Sequence, residues 1–259
     1  HRNIFHTPDY WYRYSKKFKN DAAEMMKIYK IILGLSFILA TLSIGPGCRQ
    51  DYVPTDDELA DYGWVLFSQG DYVGARDWFQ LSIDKDSTYM DGYCGMGWSN
   101  GKLGYADTAY QYLHLGKDMT YDDIRFPNQV NLPIEFTAGL VFASSAIAND
   151  SLTIAHSQEF DFKQTQIQVD LGDGSYRWTL KYVLFTSLEY DSKIDAQDVR
   201  LAWSMAQYNT SQFAECVSNI RIIRDDADIS GVFEPDISTV QGRNEIAKEL
   251  EKLQLLLSS

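Results

Sequence analysis

The sequence predicts a mainly α-helical protein, an α-α superhelix of repeated helix pairs with one inserted β-hairpin. Three observations predict this fold class. Residues recur at a spacing of 34 between positions 57 and 118, apolar residues recur at helical spacing in later segments, and positions 160–184 alternate between apolar and polar. The chain has 259 residues, of which 45% are hydrophobic, and this is enough for a sizeable core.

The net charge of −13 is unevenly distributed along the chain. Residues 1–47 contain seven basic and three acidic residues, whereas the remainder contains sixteen basic and thirty-three acidic residues. Such an asymmetry indicates that the first part does not belong to the folded domain. The acidic remainder argues against a nucleic-acid partner, because phosphates are bound by a basic face.

Residues 26–47 have the layout of a secretory signal peptide. Lys27 and Lys30 form a short positive region, residues 31–44 are an uncharged, mostly apolar run, and small and turn-forming residues follow at 45–47. A run of this length spans about 21 Å as a helix, which is short of the roughly 30 Å hydrocarbon core of a bilayer. The alternatives are an uncleaved anchor and a buried core helix.

Together with Cys48, this segment resembles a bacterial lipoprotein signal, whose cleavage leaves a lipid-modified cysteine as the first mature residue. Gly47 precedes the cysteine as in that family, whereas Gly45 stands where the family usually has Leu. The resemblance implies a lipid anchor at Cys48 and a tether over residues 48–56, with ordinary secretion as the alternative. In such bacterial lipoproteins, an Asp after the cysteine tends to keep the protein at the inner membrane. Arg49 stands at that position, so the resemblance implies an outer-membrane lipoprotein that faces the periplasm, with surface exposure left open.

The folded part of the chain is predicted to begin after this tether. Residues 1–25 show no clear period and are interpreted as an upstream extension outside the fold. Residues 57–259 are predicted to form one helical-repeat domain that carries the hairpin.

An internal repeat begins this domain. Seven of the 28 positions in 57–84 are identical to the residue 34 positions later, where roughly two would match by chance. The identical pairs are Asp57/Asp91, Gly63/Gly97, Trp64/Trp98, Gly70/Gly104, Ala75/Ala109, Leu81/Leu115 and Asp84/Asp118. A fixed period of this size predicts stacked units of two helices each.

The glycines of the repeat have a physical explanation. A glycine inside a helix costs about 1 kcal/mol relative to Ala, so Gly63 and Gly97 are predicted to lie where a neighbouring helix comes very close. Gly70 and Gly104 suit a left-handed cap before the second helix. That second helix carries a small contact residue and a larger apolar one a turn later: Ala75 and Phe79 in the first unit, Ala109 and Leu113 in the second.

These units resemble the tetratricopeptide repeat. The family pattern is matched by Leu59, Tyr62, Gly63, Leu66, Ala75 and Phe79 in the first unit, and by Tyr93, Met96, Gly97, Ala109 and Leu113 in the second. Asn100 departs from the large apolar residue of the family, and neither unit ends in its usual Pro. The resemblance covers about 65 residues and implies a concave groove lined by the first helix of each unit.

Further helices are predicted from their apolar spacing. Residues 134–149 form one apolar helix, in which Gly139 is a third close helix contact. Residues 198–223 form a helix pair with a turn at 209–211. Its first helix is lined by Ala202, Met205 and Ala206, and its second by Phe213, Cys216 and Ile220. A capping box at Ser238 and Gln241 opens a last helix, whose apolar stripe is Ile246, Leu250, Leu253 and Leu257.

Residues 160–184 are the exception to the helical pattern. Apolar residues alternate on both sides of a Gly-Asp-Gly turn: Phe160, Phe162, Ile167, Val169 and Leu171 before it, and Tyr176, Trp178, Leu180, Tyr182 and Leu184 after it. Two such runs predict a β-hairpin. The hairpin is either an insertion that packs on the helices or an arm that pairs with a partner strand.

Residues that would carry catalysis or hold a metal are not grouped in the sequence. His114 and His156 have no Cys or His partner at ligand spacing, and no nucleophile, phosphate-binding or dinucleotide motif is present. We therefore expect no enzyme activity, no catalytic residues, no metal and no cofactor. Cys94 and Cys216 occupy small-residue helix positions, which predicts buried free thiols, although export would permit a disulfide.

The predicted binding surface is the groove that the tetratricopeptide resemblance implies. Six residues are predicted to face it: Asp57, Trp64, Phe67, Asp91, Trp98 and Lys102. Two tryptophans one repeat apart could anchor an extended peptide or stack on a sugar ring. The alternative is that both tryptophans pack between repeats.

The sequence therefore favours a cell-envelope lipoprotein that acts as a protein–protein interaction or assembly scaffold. Its expected partners are a protein or peptide of the cell envelope and, through the lipid anchor, the membrane, with no nucleic acid. The alternative is a carbohydrate-binding accessory lipoprotein, which the 14% aromatic content favours.

Overall fold

The computed structural model describes residues 52–119, 131–180 and 191–257, and these residues form nine helices and one two-stranded sheet. Val53 to Ser259 make up one compact unit. The predicted signal peptide and Cys48 lie outside the described residues, as do Tyr182 and Leu184 of the predicted hairpin.

The described helices pack as neighbours in chain order. Their bounds are α1 Asp56–Ser68, α2 Tyr72–Lys85, α3 Met90–Lys102, α4 Ala106–Lys117, α5 Leu132–Ala146, α6 Asp150–Leu171, α7 Ala196–Asn209, α8 Phe213–Asp226 and α9 Val240–Leu257. Each helix from α1 to α8 packs on the next one, and α9 packs on α7 and α8. The mainly helical, repeat-like packing predicted from the sequence is therefore confirmed.

The close contacts predicted for the 34-residue repeat are present in both units. A Cβ atom at Gly63 would lie 2.7 Å from the Phe79 ring, and one at Gly97 would lie 2.4 Å from Leu113 Cγ. These distances are shorter than any van der Waals contact, so the helices approach as closely as they do because position 63 and position 97 lack a side chain. Equivalent positions of the repeat thus form the close contact between α1 and α2 and again between α3 and α4.

The turns between the paired helices also repeat. Gly70 and Gly104 have φ values of +80° and +82°, the left-handed conformation that the sequence predicts for them. The amide of the following residue, Asp71 or Tyr105, bonds back to the carbonyl of Leu66 or Asn100 and closes each helix end. Gly139 in α5 continues the pattern of close contacts, since a Cβ there would lie 2.8 Å from Leu113.

The predicted β-hairpin is wrong in its first half. Residues 160–171 belong to the 22-residue helix α6, whose buried positions Ile154, Ser157, Phe160 and Gln164 recur every three or four residues. Phe162 and Val169, which produced the apparent alternation, are 66% and 68% exposed on the opposite face of that helix. Helical burial therefore overrode a period-two pattern made by exposed apolar residues.

The second half of the predicted hairpin does contain a strand. Gly172, with φ +64°, ends α6 instead of forming a hairpin turn. Tyr176, Trp178 and Leu180 are buried as predicted, and β1 (Thr179–Leu180) pairs antiparallel with β2 (Asp191–Asp195). Because the sheet precedes α7 directly, it fixes where that helix begins.

A second apolar cluster holds the carboxyl-terminal helices together. It is formed by Leu201, Cys216, Val217, Ile220, Ile223, Ile246, Leu250 and Leu253. Arg224 of α8 forms an ion pair with Glu249 of α9 beside this cluster and also donates to the carbonyls of Ser230 and Gly231. The predicted helix pair and the apolar stripe of the last helix are confirmed.

Two details of this region differ from the sequence-based prediction. Met205 is 36% exposed, because it lies on the outer side of α7 while Ala202 and Ala206 face inward. Ser238 does not cap α9, since its amide and hydroxyl both donate to Asp236. Thr239 takes that role instead and accepts a hydrogen bond from the Gly242 amide at 3.0 Å.

None of the described helices combines the length and the apolar character that crossing a membrane requires.

Candidate binding cavity

The six residues predicted to face a groove do not share one surface. Trp64 and Phe67 are only 1% and 2% exposed and pack against Phe79 and Tyr72. Both side chains are therefore core residues, and the contacts of Trp64 are those that the packing alternative describes. Asp57, by contrast, is exposed in the first turn of α1.

Asp91 is also buried, and it provides a hydrogen-bond acceptor for the buried indole of Trp64. The indole Nε1 of Trp64 donates to Asp91 Oδ2 at 3.0 Å, which joins α1 to α3. Cys94, one turn along α3, lies with its Sγ 3.9 Å from Glu135 Oε2 of α5. Together with Trp64, the side chains of Asp91, Cys94 and Glu135 form a buried polar connection between α1, α3 and α5.

These three side chains are also the group of metal-ligating residues that the fold brings together in the described part of the chain. Their ligand atoms all lie within 4.8 Å of one another. Each residue takes part in hydrogen bonds or electrostatic contacts with the protein, so the group is accounted for as a structural network. Sequence spacing did not find it, because Glu135 comes from a different helix.

The remaining two predicted residues, Trp98 and Lys102, border a cavity of about 750 Å³. The cavity lies against one face each of α3, α4 and α5. Small residues dominate these faces: Gly97 and Gly101 of α3, Ala106 and Ala109 of α4, and Gly139, Ala143 and Ala146 of α5. Since glycine and alanine fill little volume, the three helices pack closely at their backbones and still leave a hollow above them.

Larger apolar side chains form the walls of this hollow. Trp98 and Phe142 lie with ring centroids 5.9 Å apart, and Trp98 also stacks on Trp178 at 6.4 Å. Leu256 and Leu257, in the last turn of α9, line the cavity opposite the small-residue faces. The cavity therefore lies where α3 to α5 face the end of the carboxyl-terminal helix.

The charged residues of the lining are Lys102, Asp195 and Asp198. Asp195 caps α7, accepting from the amides of Gln197 at 2.7 Å and Asp198 at 3.4 Å. Asp198 Oδ2 in turn accepts from the Asp195 amide at 2.9 Å. This capping box fixes both carboxylates in position at the edge of the cavity.

A shallower depression of about 480 Å³ adjoins the cavity, and both share Gly104, Ala106 and Ala146 in their linings. Its own lining adds Tyr105, which is 54% exposed, and the exposed acid Asp107. We call the two adjoining hollows together the α3–α5 groove. Its deep part is apolar and its shallow part is polar.

The described residues of the α3–α5 groove offer groups suited to binding. Among them the deep lining is mostly Gly, Ala and large apolar residues, and Asp195 and Asp198 are engaged at a helix terminus. Sites of 300 to 1,000 Å³ with an apolar lining and few polar groups are typical of ligand pockets. Sequence reasoning found Trp98 and Lys102 here, but it missed the glycine and alanine faces and the leucines of α9.

The two histidines of the folded part lie outside this groove. His114 Nδ1 pairs with Asp118 Oδ2 at 2.9 Å on the surface of α4. His156 in α6 is half-buried, and burial together with the charge of Lys117 lowers its pKa. Lys117 itself pairs with Glu159, so this histidine belongs to a contact between α4 and α6.

A scan against protein-family models and a search of the curated proteins both found no match for this chain. The resemblances to a lipoprotein signal and to the tetratricopeptide repeat therefore rest on the residues quoted for them. The geometry of the α3–α5 groove carries the functional argument.

Proposed function

We propose that this chain is an interaction protein of the cell envelope, tethered through Cys48, whose α3–α5 groove binds an apolar segment of a protein partner. The cavity of about 750 Å³ between α3, α4, α5 and the end of α9 carries this proposal. A folded chain gains stability by closing such a hollow, and a hollow left open among aromatic and aliphatic walls favours an apolar occupant.

The polar depression beside the apolar cavity supports a peptide segment as the occupant. The deep cavity continues across Ala106 and Ala146 into the polar depression, which gives a site with an apolar end and a polar end. Tetratricopeptide-like units commonly present such grooves to protein segments, and the close contacts at Gly63 and Gly97 agree with that resemblance. The analogy concerns the fold, and the groove itself carries the functional conclusion.

A carbohydrate ligand has less support than a peptide. Sugars need many hydrogen-bonding groups around their hydroxyls, whereas the deep lining offers three charged side chains among glycine, alanine and large apolar residues. Of the two tryptophans that suggested sugar stacking, Trp64 is buried in the core.

The test is to fill the groove without disturbing the fold. Gly101 lies on the cavity wall, and a Cβ there would lie 3.9 Å from Ala109 Cβ, so a side chain can be added. We expect Gly101→Phe to abolish capture of a specific partner by the tagged, membrane-extracted chain, as measured by quantitative mass spectrometry. The matched control Gly101→Ala leaves most of the volume open and is expected to keep the partner.

A partner retained equally by both variants would contradict the groove as the binding site. Glycans that bind on an array and are lost in Gly101→Phe would support the carbohydrate alternative instead. The anchor is tested separately, by mass spectrometry of the mature amino terminus, where an unmodified Cys48 would contradict the tether.

A further inference from the structure

We infer that the segment bound by the α3–α5 groove carries basic residues beside its apolar residues. This inference rests on the proposed function and adds the chemistry of the partner. The deep apolar lining favours apolar residues in the middle of the bound segment. The charges at the edge favour residues of opposite charge on either side of them.

The edge of the groove is acidic. Asp195 and Asp198 border the deep cavity, and Asp107 borders the adjoining depression. Among the described residues, Lys102 is the cation of the lining, and its Nζ lies 5.9 Å from the centre of the Tyr72 ring. The described residues of the edge therefore carry three carboxylates and one ammonium group.

The two acids at the start of α7 are held in place before any ligand arrives. Each accepts hydrogen bonds from backbone amides of its own helix terminus, so little side-chain freedom is lost on binding a cation. The amino terminus of α7 offsets only about half a unit of this negative charge.

The field of the whole chain has the same sign as the edge. The net charge is −13, and the residues beyond position 47 hold thirty-three acids against sixteen bases. A field of this sign attracts basic segments and repels acidic ones, and it is strongest at low ionic strength. Local and long-range charges thus favour the same partner chemistry.

The experiment compares three fluorescent peptides with one apolar core, Leu-Leu-Ala-Leu-Leu, flanked by Lys, by Gln or by Glu. Binding to the full chain in neutral phosphatidylcholine nanodiscs is measured by fluorescence anisotropy, with empty nanodiscs as the blank. We expect the Lys-flanked peptide to bind about tenfold more tightly than the Glu-flanked one at low salt, and this ratio to shrink in 500 mM salt.

The double variant Asp195→Asn/Asp198→Asn assigns the preference to the groove. Asn caps a helix about as well as Asp, so this variant removes charge while it keeps the cap. We expect it to lose most of the preference for Lys. The control Asp170→Asn/Asp225→Asn removes the same charge from exposed positions on α6 and α8 and is expected to keep the preference.

The other outcomes separate this inference from the proposed function. Equal binding of the three peptides, all abolished by Gly101→Phe, would overturn the basic-flank inference and leave the groove as a peptide site. Preference for the Glu-flanked peptide, or equal loss of preference in both double variants, would also overturn it. Failure of every peptide to bind would overturn the groove proposal together with this inference.

Discussion

The buried carboxylate of Asp91 accepts a hydrogen bond from the buried indole of Trp64, and this contact gives Trp64 a structural role. The same repeat position in the first unit, Asp57, is exposed and has no such tryptophan before it. Identical residues one repeat apart therefore serve different purposes, because in the described part of the chain a helix pair precedes α3 and none precedes α1.

This difference gives a matched test at the residue scale. Asp91→Leu leaves the Trp64 Nε1 donor without its acceptor inside the core, so we expect the free energy of unfolding to fall by about 1–3 kcal/mol. Asp91→Asn retains an acceptor and is expected to cost less. Asp57→Leu is expected to change stability by only about 0.5 kcal/mol, as surface substitutions do. Urea unfolding of the three variants checks this order, and equal losses for Asp57→Leu and Asp91→Leu would refute it.

The two buried thiols give a second test at this scale. Burial raises the pKa of Cys216 from 9.0 to about 12, and Cys94 is fully buried. At pH 8 a thiol of that pKa is thiolate in roughly one molecule in 10,000, and the thiolate is the reactive form. In a Cys48→Ser variant, we expect both thiols to react with a disulfide reagent only as fast as the chain unfolds.

The sign of the pKa shift also predicts a pH effect. Because the folded-state pKa of Cys216 lies above the unfolded value, its contribution to stability is complete below pH 9 and is lost as the pH rises towards 12. In the labelling experiment, rapid reaction of both thiols of the folded chain with the disulfide reagent at pH 8 would show that these positions are open to solvent.

At the scale of helices, close contacts at glycine determine how the pairs pack. Gly97 and Gly101 lie one turn apart on α3, yet a Cβ at Gly97 would meet Leu113 at 2.4 Å whereas one at Gly101 would lie 3.9 Å from Ala109. The two positions therefore separate the cost of a steric clash from the ordinary preference of helices for alanine.

We expect Gly97→Ala to destabilise the fold by about 1–3 kcal/mol, because Leu113 must shift within a packed core. Gly101→Ala is expected to be neutral or to stabilise by up to about 1 kcal/mol, since alanine is the better helix former. Thermal and urea unfolding of both variants measures the difference. Similar effects at the two positions would show that α3 and α4 can move apart.

The prediction of a strand over residues 160–171 failed for a reason that belongs to this scale. Exposed Phe162 and Val169 lie on the face of α6 opposite its buried positions, and their apolar character imitated the alternation of a strand. A sequence shows which residues are apolar, but it does not show which of them are buried. Only the neighbours of a helix decide that, and here α5 and α7 cover one face of α6.

At the scale of the whole molecule, the dominant property is the excess of negative charge. Self-repulsion among acids destabilises a compact chain, and salt screens it. We expect the melting temperature to rise by about 2–5 °C between 20 mM and 300 mM NaCl. KCl should give the same rise, because screening does not depend on the cation. A melting temperature that is insensitive to both salts would show that the acids are already compensated within the fold.

Four features follow from the amino-acid sequence alone: the mainly helical class, the 34-residue repeat with its close glycine contacts, the left-handed turns at Gly70 and Gly104, and the apolar stripe of the last helix. These features depend on residues near one another in the chain, where spacing alone fixes which side chains share a face. The α3–α5 groove was decided only by the tertiary structure. Its lining comes from α3, α4, α5, β2, α7 and α9, and no local pattern shows that Leu256 and Gly139 would line one cavity, or that of the two buried residues Trp64 and Trp98 the second would border it. Burial depends on which helices meet, and that is a property of the packed chain as a whole.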